Sequence, residues 1–228
     1  MGTHGRTVVD GVSLAYELCG DPADPPVVLL HALGETAAGW GRVTEALARS
    51  RRVCAVNLRG HGASARTSRY SLELMRDDVV GLVEALDLRS SVLVGHSMGG
   101  MVAYLVAIAR PDLITGLVLE ETPIPRPADP PRDVPEPPGE VAYDWGAVRA
   151  VYAQRKHPDP DWWDRLAAVD MPVLVIAGGP TSHLPQDQQR ALADRFRDGR
   201  LVTIYAGHGV HTARPDEFVD ALTGFLNG

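Results

Sequence analysis

The sequence predicts an α/β domain: a mostly parallel eight-stranded sheet with helices on both faces. Three observations carry this expectation. The chain opens with two alternating polar–apolar segments around Asp10-Gly11, a strong two-residue hairpin signal. Short, continuous apolar runs follow, of the kind expected for strands buried on both faces. Stretches with helical spacing of apolar residues separate those runs, and strand–helix alternation builds parallel sheets. At 228 residues the chain fits one domain with a substantial core.

The elements follow in order. Arg6–Asp10 and Ser13–Leu18 form the hairpin, and Val27–His31 is the first buried strand. Trp40–Ala48 has Trp40, Val43, Leu47 and Ala48 at helical spacing. Val53–Leu58 is a strand, and Leu72–Leu86 is a helix with Leu72, Met75, Val79, Leu82, Val83 and Leu86 on one stripe. Ser91–Val94, Met98–Ala109 and Gly116–Glu120 read as strand, helix and strand. Eight prolines between Pro123 and Pro138 then rule out regular structure. Ala142–Arg155 and Asp161–Val169 are short helices, Val173–Ala177 a strand, and Gln186–Phe196 a helix. Leu201–Tyr205 and Asp216–Leu226 close the alternation as strand and helix. The segment from about 122 to 169 is an excursion over one end of the sheet rather than a linker.

Bulk properties narrow the function. A net charge of −7 without a basic stretch argues against nucleic-acid binding. No apolar run approaches the roughly 20 residues of a membrane span, and the first residues lack an apolar signal core. Cys19 and Cys54 lack metal-ligand spacing and read as two reduced thiols. Lys156 is the single lysine among 22 basic residues, which fits a GC-rich coding sequence. A cytoplasmic bacterial enzyme acting on a small molecule, without cofactor, is expected.

The strongest chemical signal is Gly95-His96-Ser97-Met98-Gly99-Gly100, between a buried strand and an apolar helix. Such a turn lifts the serine hydroxyl above the sheet edge and aims backbone N–H groups beside it. From this motif onward the chain resembles the α/β-hydrolase family over nearly its whole length. Leu29-Leu30-His31-Ala32-Leu33-Gly34 with Trp40, Asn57-Leu58-Arg59-Gly60-His61-Gly62-Ala63-Ser64, Met171–Gly178 and Ala206-Gly207-His208 carry the rest of the resemblance.

The resemblance implies that Ser97 is a nucleophile, His208 its base, and the N–H groups of Leu33 and Met98 an oxyanion hole. His211 is the rival base, but the family pattern favours the histidine after Ala-Gly. His208-x-x-His211 has no matching third ligand at useful spacing, so no metal site is expected. Ala32 replaces the family's usual glycine and would be strained if that position needed positive φ. Asn57 stands where the family usually has aspartate, with a structural effect only.

The orienting carboxylate is missing from its usual place, because the chain reads Gly179-Pro180-Thr181-Ser182-His183 after the seventh strand. A known variation in the family places the acid at the end of the sixth strand, where this chain has Glu120-Glu121. Alignment on Gly116 selects Glu121, and alternation along the strand prevents Glu120 from facing His208 as well. Glu120 and Asp187 are the alternatives, with Asp187 read foremost as a helix N-terminal charge. His31, Trp145 and Trp162 are candidates for the substrate pocket.

The family's acyl-enzyme chemistry implies hydrolysis of a small carboxylic ester or lactone. C–C bond hydrolysis or perhydrolysis uses the same machinery, whereas a serine nucleophile argues against dehalogenase or epoxide hydrolase chemistry. A reading from another class is a non-hydrolytic small-molecule sensor, motivated by Ala32 and the displaced acid. Steady multiple turnover separates the two.

Overall fold

The computed structural model describes residues 2–126 and 135–228. Strands β1 (Thr3–Val9) and β2 (Val12–Cys19) form the opening hairpin, with Asp10 and Gly11 both at positive φ in its turn. The remaining strands are β3 (Pro26–Leu30), β4 (Arg52–Val56), β5 (Ser91–His96), β6 (Ile114–Glu120), β7 (Val173–Ala177) and β8 (Gly199–Thr203). They form one sheet in the order β1-β2-β4-β3-β5-β6-β7-β8. Among these eight strands only the pairings of β2 with β1 and β4 are antiparallel. The expected fold class is the one observed.

The helices are α1 (Gly41–Leu47), α2 (Leu72–Ala85), α3 (Met98–Ala109), α4 (Trp145–Lys156), α5 (Asp161–Arg165), α6 (Gln186–Arg195), α7 (Val210–Ala213) and α8 (Pro215–Leu226). Helix α2 is capped by the Ser71 side chain, which accepts from Leu74 N–H, satisfying one of the unpaired donors of its first turn. The core has two layers. One packs α2 and α3 against the sheet through Val79, Leu82, Met101 and Tyr104, and the other packs α1 and α8 through Val43, Leu47, Phe218 and Leu222. Strands β3 to β6 are almost wholly buried because both faces are covered.

The segment between β6 and β7 carries α4 and α5; residues 127–134, half of the Pro123–Pro138 stretch, lie outside the described residues. Helix α4 is pinned to the body. The Tyr70 hydroxyl donates to Asp144 at 2.8 Å, Leu72 N–H donates to the Gln154 side chain at 2.9 Å, and that side chain donates to Glu73 at 2.7 Å. Among the described residues no helix is long and apolar enough to cross a membrane. Cys19 and Cys54 are free thiols.

Candidate active site

The turn from β5 to α3 places Ser97 at φ 51°, ψ −111°, a conformation non-glycine residues rarely hold without a functional reason. A Cβ on Gly95 would collide with the backbone of Gly99 and Gly100, and one on Gly99 with the carbonyl of Leu30. The two glycines therefore let the turn fold tightly enough to raise the serine. Met98 opens α3, so its N–H belongs to a first helical turn that has no partners within the helix.

The chain end of β6 is the second unusual point. Glu121 has φ 45° and Glu120 does not, so the two adjacent carboxylates diverge. Oε2 of Glu121 lies 3.3 Å from Nδ1 of His208. The same carboxylate accepts from Gly178 N–H at 2.5 Å, from the Ser182 hydroxyl, and from the Gln186 amide at 3.2 Å. Burial alone would raise the Glu121 carboxyl, but His208 and these donors hold it below the usual carboxylate range. The loop after β7 thus contains no acid facing His208, and that loop and the start of α6 instead supply three donors to one arriving from β6. Sequence reasoning missed Ser182 and Gln186; only the absence of an acid after the seventh strand hinted that something else stood there.

Glu120 turns the other way, fully buried against His211. Its oxygens lie 2.7 and 2.9 Å from Nδ1 of His211, and one accepts the His211 backbone N–H at 2.9 Å. His96, the residue before Ser97, donates from Nε2 to the His208 carbonyl at 2.8 Å. Its Nδ1 is 3.4 Å from Glu35. Burial pulls the His96 imidazolium down, but the charges of Glu120 and Glu35 outweigh it and raise the group to about 9. Burial likewise works against Glu35, yet His96 holds that carboxyl at about 2.

Ser97 and His208 open into one cavity of about 290 Å³. Leu33, Met98 and Met101 line it from the sheet side, and Tyr143, Trp145, Val148, Val151, Tyr152 and Arg155 from the β6–β7 segment.

Residues 25–168 match the sequence model of the alpha/beta hydrolase fold. The chain belongs to the α/β-hydrolase family. This hydrolase is 27% identical to an sn-1-specific diacylglycerol lipase of Mus musculus, over 93% of its own chain and 85% of the lipase. It superposes on a hydrolase of Pseudomonas aeruginosa with a TM-score of 0.86, 27% identity and 99% coverage of both chains. A thermophilic esterase from Thermogutta terrifontis superposes with a TM-score of 0.84 and 26% identity, covering 100% of this chain and 98% of the esterase.

Two of the expected pocket residues, His31 and Trp162, need correcting within the hydrolase. His31 does not line the cavity. It is buried, accepts Leu58 N–H at Nε2 over 3.0 Å, and contacts the Ala32 carbonyl from Nδ1 at 2.7 Å. Trp162 is also absent from the cavity wall, because it packs into the core with Leu166 and Val169. Asp187 sits exposed in the first turn of α6, where a carboxylate favours the helix N-terminus, and not beside His208. Ala32 is unstrained: the positive φ of its loop falls on Gly34, at 82°. Asn57 accepts Ala37 N–H at 2.9 Å and so holds the loop ahead of α1.

The buried histidines give this hydrolase an acid-labile window. Burial, then the nearby His61, holds His31 down at about 3, and burial lowers His61 as well. The unfolded chain takes up protons near 6.5 while folded His31 does not, so stability falls as pH drops from 6.5 toward 3. His96 does not offset this: its contribution is complete below 6.5 and is lost only as pH rises toward 9. Between pH 6.5 and about pH 5, above the carboxylate range, a loss of roughly 2 kcal/mol from His31 alone is expected. Urea unfolding at the two pH values measures it. A flat profile would show that His31 is not held neutral.

Proposed function

We propose that this enzyme is a serine hydrolase that cleaves a small ester or lactone through an acyl-enzyme on Ser97, with His208 as base and Glu121 as the orienting acid. The observation that carries this reading is the convergence of an elbow serine and His208 on one cavity, with Glu121 3.3 Å behind the imidazole. A hydroxyl attacks a carbonyl efficiently only when a base accepts its proton as the bond forms. Nδ1–H of His208 donates to Glu121, which leaves Nε2 as the nitrogen that takes the Ser97 proton.

Ser97 Oγ adds to the substrate carbonyl, and the resulting oxyanion is met by the N–H groups of Leu33 and Met98, both at the cavity wall. His208 then returns the proton to the departing alkoxide, leaving an acyl group on Ser97. Water, deprotonated by His208, attacks that acyl carbonyl, and collapse of the second intermediate releases the acid and restores the Ser97 hydroxyl.

The β6–β7 segment, from about 122 to 169, acts as a short lid. Its aromatic and branched side chains, with Met98 and Met101, form an apolar part of the wall suited to a small acyl or alkyl group. Arg155 and Glu35 add charged parts, and a cavity of this volume admits a compact substrate. Similarity to a lipase and an esterase supports the ester class.

Fluorophosphonate labelling, followed by intact mass and peptide mapping, tests the reading. Rapid labelling at Ser97, absent from Ser97→Ala, is the expected result and leads to screening esters and lactones for turnover. Well-folded wild-type protein that takes no label has an unactivated serine, and the hydrolase reading then gives way to a binding protein on the same fold.

A further inference from the structure

Beside the cavity, and reaching its wall at Glu35, lies a polar cluster that ester hydrolysis does not use. Glu35, His96 and His211 each bring one ligand-type atom within 4.8 Å of the others. They come from the loop after β3, the end of β5 and the helix after β8, so no local spacing announces them. Each imidazole has one nitrogen already committed. Nδ1 of His211 faces the Glu120 carboxylate, and Nε2 of His96 donates to the His208 carbonyl.

The nitrogens left over converge on Glu35. Nδ1 of His96 is buried and makes no hydrogen bond; Oε2 of Glu35 lies 3.4 Å away without the alignment a hydrogen bond needs. Nε2 of His211 and Oε2 of Glu35 both lie 4.0 Å from the place where a side chain on Gly39 would begin. A Cβ there would meet both atoms only at ordinary van der Waals distance, so the place beside them is open. Trp40 stacks on the His211 ring with centroids 4.1 Å apart, which fixes the ring plane.

Histidines whose outer nitrogens are fixed by a carboxylate and a backbone carbonyl are oriented as metal-binding proteins orient theirs. We propose that Glu35, His96 and His211 form a site for a divalent transition-metal ion of the zinc class, bound by two imidazole nitrogens and one carboxylate. Two imidazoles and a carboxylate match the donor preference of zinc, and a water would complete its four ligands. Zinc bonds of about 2.0–2.2 Å require the three atoms to draw together by roughly 1 Å. Glu35, whose side chain is 43% exposed, can make that movement and also marks the entry path from solvent. The ion takes the place of the proton on Nδ1 of His96. Its role is structural, tying the loop after β3, the nucleophile turn and the His208 loop to one centre.

The test uses the full chain without a histidine tag, stripped with a chelator, dialysed against Zn²⁺ and assayed for bound metal by mass spectrometry. One zinc per chain and a raised Tm are expected, with both lost in Glu35→Gln and in His211→Gln proteins whose circular dichroism matches wild type. Co²⁺ in place of zinc should give the intense visible absorption of a low-coordinate site and quench tryptophan fluorescence through Trp40. Retention of no zinc by wild type overturns the proposal. So does zinc that persists in both variants but disappears in His183→Ala, since it would then sit on the His183–His208 pair, whose rings are 4.1 Å apart. Neither readout depends on Ser97, so failure here leaves the proposed hydrolytic chemistry standing.

Discussion

Glu121→Gln should lower kcat by about 10³–10⁴-fold, or roughly 4–5.5 kcal/mol of transition-state stabilisation. The reason lies in the donor count. The Glu121 carboxylate accepts from Gly178 N–H and the Gln186 amide at one oxygen, and from the Ser182 hydroxyl at the other, which also faces His208 Nδ1. A glutamine amide has one oxygen and one NH₂ group, so one of these sides must meet a donor with a donor. Turning the NH₂ toward Gly178 leaves a buried N–H unsatisfied, at about 1–3 kcal/mol. The Ser182 hydroxyl can rotate and accept instead, so the NH₂ settles toward His208. Nδ1 must then carry the lone pair and Nε2 the proton, the wrong tautomer for a base. Steady-state kinetics on a p-nitrophenyl ester should show kcat collapsing while KM stays near wild type. Asp187→Asn should be silent. If Glu121→Gln keeps near-full activity while Glu120→Gln or Asp187→Asn collapses, the acid has been misassigned.

How far the sequence led toward this site depended on the range of the interaction. The strand ladder was legible because burial on both faces makes runs such as Val27–Leu30 and Val173–Ala177 continuously apolar. The turn at Ser97 was legible because Gly95 is demanded by contacts within five residues, although Gly99 answers to the distant Leu30 carbonyl. Glu121 was reachable because two adjacent carboxylates ending a buried strand need a reason to be there. What holds Glu121 was not: Ser182 and Gln186 lie 61 and 65 residues away, and serine and glutamine in a loop signal nothing by themselves. The pairing of His211 with Glu120 spans 91 residues and could not be told from a surface His-x-x-His. Aromatic residues misled for a related reason. Trp145 and Trp162 have the same composition signal, yet one ends half-buried at the cavity and the other inside the core, decided by which face of α4 or α5 each occupies.

Asp78→Ala should cost about 3–5 kcal/mol of folding stability, the typical size for breaking one side of a buried ion pair. Arg59 Nε and Nη2 each donate to a separate Asp78 oxygen at 2.5 Å, with the two side chains 8% and 1% exposed. Burial raises the Asp78 carboxyl above the usual carboxylate range, and the guanidinium offsets only part of that rise. Truncating the aspartate strands a guanidinium that stays charged and has lost its bidentate partner. At roughly 2–4 °C per kcal/mol for a domain of this size, Tm should fall by roughly 6–20 °C. The surface pair Arg110–Asp112, with 34% and 57% side-chain exposure, is the control, and Asp112→Ala there should cost under about 1 kcal/mol. The buried pair also reaches the site, since Arg59 sits in the turn whose His61 accepts the Gly34 N–H at 3.2 Å and contacts the Arg59 carbonyl at 3.1 Å. That contact shapes the loop bearing Leu33. Replacing Arg59 and Asp78 together by apolar residues should recover much of the lost stability, because no charge is then left buried and unpaired. Without the guanidinium and its partner the turn is held less firmly, so the double variant should regain Tm but not the full wild-type kcat. Recovery of both would show that the pair serves stability alone, and a Tm for Asp78→Ala within a degree or two of wild type would show that it does not serve stability.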